Sequence, residues 1–106
     1  MSSGAPRKIE FKRIADAALG HVDSIVQRWL PNGKREGQEW VAINPTRSDQ
    51  RKGSFKVNLK SGRWSDFATG QRGGDLISLA AYLHRLNQTD AAVRVAAMLG
   101  VDPYER

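Results

Sequence analysis

A chain of 106 residues with 40% hydrophobic side chains can pack one modest core and is too short for a second domain. It has no cysteine, which excludes disulfides and thiolate metal sites, and its two histidines, His21 and His84, lie far apart in sequence. The net charge of +6, with a pI near 10.2, points away from basic partners.

The first eight residues, Met1 to Lys8, are polar and lack the apolar core of a signal peptide, so they are expected to be disordered and the protein cytoplasmic. From Phe11 to Leu30 the apolar residues Phe11, Ile14, Ala15, Ala18, Val22, Ile25, Val26 and Trp29 follow the stripe of an amphipathic helix. Residues 9–31 therefore form a helical region, with Gly20 the point where it can bend or break and Pro31-Asn32-Gly33 its stop.

A β region follows over residues 39–70. Glu39 to Asn44 reads as a short strand ending before Pro45, and Thr46 to Gly53 as a polar loop. Ser54 to Lys60 alternates with period two, with Phe55, Val57 and Leu59 on one face and Lys56, Asn58 and Lys60 on the other. A two-residue turn at Ser61-Gly62 would return the chain as Arg63 to Phe67, placing Leu59 opposite Trp64 and Lys60 opposite Arg63. Asn58 and Ser65 read as partners in local hydrogen bonds.

Residues 70–74 read as a glycine-rich loop, and residues 73–100 as two helices. Asp75 is placed as the cap of a helix whose apolar face is Leu76, Ile77, Leu79, Ala80, Leu83 and Leu86. Thr89 or Asp90 would cap a final helix bearing Ala92, Val93, Val95, Ala96 and Leu99, stopped by Gly100. The tail from Asp102 to Arg106 is expected to fray. The fold class that results is α+β: one domain, with a three-stranded antiparallel sheet packed against an N-terminal helix and two C-terminal helices. No apolar stretch is long enough to cross a membrane.

The positive charge is concentrated. Between Lys34 and Arg72 nine basic residues (Lys34, Arg35, Arg47, Arg51, Lys52, Lys56, Lys60, Arg63, Arg72) face four acidic ones (Glu36, Glu39, Asp49, Asp66), whereas the rest of the chain is nearly neutral. Such a cluster suits a polyanion. It suits a solvated surface as well.

Four segments, in order, form a pattern. They are Asn44-Pro45-Thr46-Arg47, Gly53-Ser54-Phe55-Lys56-Val57, Asp66-Phe67-Ala68-Thr69 and Gly73-Gly74-Asp75-Leu76-Ile77-Ser78-Leu79. From Trp40 to Leu99 this resembles the N-terminal zinc-ribbon domain of bacterial and phage-type primases and primase-helicases. There, two Cys/His knuckles flank a hairpin strand and Gly-Gly-Asp opens the next helix. The resemblance places Asn44, Arg47, Asp66 and Thr69 at the four ligand positions, and none is a cysteine or histidine. It implies a metal-free ribbon with no cofactor, since structural zinc takes four N or S donors. An Arg47–Asp66 ion pair could bridge the old site but would contribute only about 0–1 kcal/mol at a surface. Packing of Trp29, Trp40, Phe55, Leu59 and Trp64 against the C-terminal helices is the expected substitute, at about 1.5–3 kcal/mol per buried large side chain.

The resemblance also implies a role: contact with single-stranded template DNA, presented to a primase or helicase catalytic domain in the same chain or another. Carried over, the contact residues are Arg47, Arg51, Lys52, Lys56, Lys60, Arg63 and Arg72, with Phe67 as the candidate for base stacking. Trp40 and Trp64 read as core. No catalytic constellation is visible. The carboxylates form no Asp-x-Asp pair, no serine has a suggestively placed histidine, and the glycines follow no nucleotide-binding pattern. A protein-interaction adaptor, its basic face meeting an acidic partner, is the alternative reading. His84 is expected on the solvated surface.

Overall fold

The computed structural model describes residues 8–46 and 54–105. Two short helices, α1 (Phe11–Leu19) and α2 (Val22–Trp29), occupy the region of the N-terminal stripe. The break falls at Gly20-His21, where His21 leaves helical geometry (φ −123°) and its N–H turns back to the carbonyl of Ala18. The apolar stripe survives the break: Ile14, Ala18, Val22, Ile25, Val26 and Leu30 are all buried, whereas Phe11 is exposed.

The sheet has five strands, not three. It is an antiparallel meander of β1 (Lys34–Glu36), β2 (Glu39–Ala42), β3 (Phe55–Asn58), β4 (Trp64–Asp66) and β5 (Gln71–Gly73), in that spatial order. The two strands absent from the sequence reading are the edges, each three residues long and without apolar alternation. Only backbone pairing with β2 and β4 makes them strands, and a periodicity argument cannot detect that. Residues 70–74 are thus largely an edge strand rather than a free loop.

The central hairpin also differs. Val57 pairs with Trp64 and Phe55 with Asp66, and the connection is Leu59–Gly62 rather than a two-residue turn. Asn58 organises it: its N–H donates to the Arg63 carbonyl, while its side-chain oxygen accepts from the Lys60 and Ser61 N–H groups. Gly62 supplies the positive φ of 79° that closes the loop. Leu59 therefore faces no partner on β4, and its N–H instead donates to the Gln38 carbonyl. The register moves by two residues, so Phe55, Val57 and Trp64 keep the inner face and Lys56 and Ser65 the outer one, whereas Lys60 is drawn into the connection.

The inner face of the sheet carries Ala42, Phe55, Val57, Trp64 and Asp66, all buried, with Trp40 half-buried beside them. It packs on α3 (Leu76–His84) and the helices around it. Phe55, Trp64 and Tyr82 form an aromatic group with ring centroids 4.8 to 6.1 Å apart. The Trp64 indole N–H donates to the Ser78 hydroxyl. A Cβ at position 73 would overlap both the indole and that hydroxyl, so this approach of β5 to α3 requires glycine. Of the five side chains expected to replace a metal, Phe55, Leu59 and Trp64 are buried, while Trp29 and Trp40 are only half-buried against the core.

Asp75 caps α3 in a capping box with Ser78. The final helix, α4 (Gln88–Leu99), is capped by Asn87 and not by Thr89 or Asp90; the Asn87 side-chain oxygen accepts from the Asp90 N–H at 2.7 Å. A side chain reaches the N–H three residues ahead, so the cap lies earlier than either candidate. Gly100 ends α4 as expected. The chain after α4 is held rather than frayed through Glu105. Glu10 donates to the Pro103 carbonyl, Glu105 donates to the Lys8 carbonyl, and the Arg13 guanidinium binds the carbonyls of Asp102 and Tyr104. Residues 1–7, expected to be disordered, lie outside the described residues. Among the described residues no helix is long and apolar enough to cross a membrane.

Candidate nucleic-acid interface

Pairing registers define what the outer face of the sheet presents. Lys34 is opposite Val41, Val41 opposite Lys56, Lys56 opposite Ser65, and Ser65 opposite Arg72. Directly opposed residues of an antiparallel sheet project from the same face. Three cations therefore lie on one line across all five strands. Arg63, at the end of the β3–β4 connection, joins Lys56 and Arg72 in lining a shallow groove of about 340 Å³ that also includes Phe67.

Phe67 is 72% exposed, the most exposed large apolar side chain among the described residues. The Lys56 ammonium lies 5.7 Å from its ring centroid, within cation–π range. Among the described residues none of Lys56, Arg63 and Arg72 is ion-paired. Among the described residues the negative charge on this face comes from Glu39, which lines the groove, and Glu36, which pairs with Lys34 at 3.7 Å.

The other candidates divide. Lys60 is not on the cationic face: the longer loop carries it to a separate depression with Asp23, Arg35 and Gln38. Arg47, Arg51 and Lys52 lie outside the described residues, as does the Arg47 half of the expected pair with Asp66. Lys34 was not among the predicted contact residues. Its place in the row depends on an edge strand that has no sequence signature.

Two of the four positions compared with metal ligands, Asn44 and Asp66, form a buried polar network on the inner face, while Thr69 is exposed and Arg47 lies outside the described residues. Asn44 and Asp66 are 1% and 0% exposed. The Asn44 amide nitrogen donates to the Asp66 carboxylate at 2.7 Å and to the Tyr82 hydroxyl at 2.8 Å. The Asn44 amide oxygen accepts from the N–H and hydroxyl of Thr46. The second Asp66 carboxylate oxygen accepts from the Ala68 N–H. Asn44 thus uses both donors and both acceptor directions of its amide. An amide nitrogen that donates two hydrogens has no lone pair for a cation, and the Thr69 hydroxyl oxygen accepts from the Gln71 N–H. Among the described residues no three His, Asp or Glu side chains converge, so this donor set does not fit tetrahedral zinc.

No protein-family model and no curated protein matches the chain. A crystal structure of the Aquifex aeolicus primase, comprising its zinc-binding and RNA polymerase domains, does match, with a TM-score of 0.74 over 90% of this chain at 18% identity. The fold is primase-like. The chain corresponds to only 22% of the length of that primase chain, so the likeness concerns a part of it. Within the primase-like fold, the open sheet face and the buried Asn44–Asp66 link lie on opposite sides of the same strands.

Proposed function

We propose that this chain is a non-catalytic, single-stranded-DNA-binding module of a primase or primase-helicase, acting in the cytoplasm with a catalytic domain in the same chain or a partner. The observation that carries this reading is the line of Lys34, Lys56 and Arg72, flanked by Arg63 and Phe67, on an open sheet face. Cations spaced across a surface neutralise successive phosphates without reading sequence. An exposed ring among them stacks on any base. Arg47, Arg51 and Lys52 remain candidate contacts from the sequence, and Lys60 is a weaker one beside the face. In this reading the primase-like fold is a ribbon whose metal has been replaced by the Asn44–Asp66 link and the aromatic group beneath it.

The test is a titration of labelled single-stranded oligonucleotide. With about four phosphates neutralised, log K should fall against log salt with a slope near −3 between ~50 and ~200 mM. Absence of binding at the lower salt concentration would overturn the proposal and favour the adaptor reading, in which the same face meets an acidic protein.

A further inference from the structure

A second cavity, of about 370 Å³, opens in the helical layer where the ends of α2 and α3 meet the middle of α4. It shares no residue with the cationic groove. Its apolar lining is formed by buried Ala80 and Val95, half-buried Met98 and Trp29. Its mouth carries Arg28, His84 and Arg94. The Trp29 and His84 rings meet edge to face with centroids 6.0 Å apart, which sets one wall.

Arg28 occupies the last turn of α2, where a cation complements the helix dipole. That accounts for one of the two guanidinium groups. Arg94 lies in the middle of α4 and has no such local reason. Among the described residues neither arginine is ion-paired, so two guanidinium groups stand unneutralised over an apolar floor.

We propose that this cavity docks an acidic segment of a partner protein, with one apolar side chain seated on Val95 and Met98 and flanking carboxylates held by Arg28 and Arg94. Charge complementarity selects this occupant. A guanidinium fork matches a carboxylate in two parallel hydrogen bonds. The size falls within the range of pockets that enclose a compact group. A nucleic acid strand is the poorer match, because Ala80, Val95 and Met98 give the lining an aliphatic patch that suits an apolar side chain rather than a base. The inference does not depend on the function proposed for the sheet.

The probe is a fluorescein-labelled synthetic peptide of aspartates around a single phenylalanine, compared with the same peptide carrying alanine there. Saturable binding is expected, with amide shifts of Arg94 and Met98 in NMR spectra of the full chain and affinity about tenfold weaker for the alanine peptide. Arg28→Glu with Arg94→Glu should abolish binding, whereas Lys56→Glu with Arg63→Glu should leave it unchanged. If the charge reversal disrupts folding, judged by circular dichroism, Arg28→Gln with Arg94→Gln should still weaken binding about tenfold. Equal affinity for the two peptides, no saturable binding, or loss only in the Lys56/Arg63 variant would overturn the proposal. Oligonucleotide-induced shifts at Arg94 and Met98 that the peptide fails to displace would also overturn it, and would assign the cavity to nucleic acid.

Discussion

Asn44 donates a 2.7 Å hydrogen bond to Asp66 across 22 residues of sequence, tying the turn after β2 to the end of β4. A buried carboxylate is strongly disfavoured without donors, and here the amide also satisfies Tyr82 and Thr46. Asn44→Ala removes one partner and leaves the others buried. The expected loss is about 2–4 kcal/mol in urea unfolding at neutral pH. Asn44→Asp should be worse at neutral pH, because two carboxylates then share the site, and should recover partly on acidification. A loss below about 0.5 kcal/mol for Asn44→Ala, the level of an ordinary surface change, would mean the link contributes little.

The same network predicts indifference to metal. Protein purified without chelator should contain substoichiometric zinc, and EDTA should leave Tm unchanged. A structural zinc site contributes folding energy directly, so its removal lowers Tm sharply. Stoichiometric zinc by metal analysis would show that residues outside those described complete a site.

Cations and the exposed ring should be separable at the sheet face. Lys56→Glu with Arg63→Glu should weaken oligonucleotide binding strongly and reduce the magnitude of the salt slope by about 1.4 or more. Phe67→Ala should cost about 1–3 kcal/mol of binding while leaving the slope unchanged, since stacking releases no counterions. Lys60→Glu, in a different depression beside Asp23, should have the smaller effect of the two lysine reversals. Filter binding across a salt series measures all three.

His84 gives a pH dependence of definite sign. Desolvation, then the nearby Arg94 charge, lowers its pKa from the ordinary value of 6.5. Its folded-state value lies below its unfolded one, so the unfolded chain binds the proton first. This contribution is fully present above 6.5 and is lost as the pH falls through that value and below the folded pKa. The exposed ring keeps the effect small. Thermal unfolding between pH 7.5 and 5 should show a decline that His84→Gln reduces; an identical pH profile for the variant would assign the decline to other groups.

Much of this architecture was legible from local pattern, for reasons visible at particular residues. The helices carry long stripes whose periodicity needs no partner, and Asp75 and Gly100 terminate them with their own chemistry. Lys56 faces away from Phe55 and Val57 whatever the register, so a slip of two residues in the hairpin left Lys56 on the outer face. Even the break near Gly20 follows from a local cost. Lys60 was misplaced because loop length decides where a strand ends, and Asn58 sets that length through hydrogen bonds invisible to alternation.

Local residue order, then, was sufficient for helix positions, strand faces and the concentration of positive charge, because each depends on neighbours within a few residues. Long-range contact alone decided the rest. The edge strands β1 and β5 exist only through pairing, and pairing is what aligns Lys34, Lys56 and Arg72. Asn44 is the distant side chain that reaches Asp66, joined with Tyr82 from a helix that begins ten residues after Asp66. The cavity of Arg28, His84 and Arg94 arises where three helix segments meet. Hydrogen-bond and charge geometry between distant segments is a property of the folded backbone, and no periodicity along the chain encodes it.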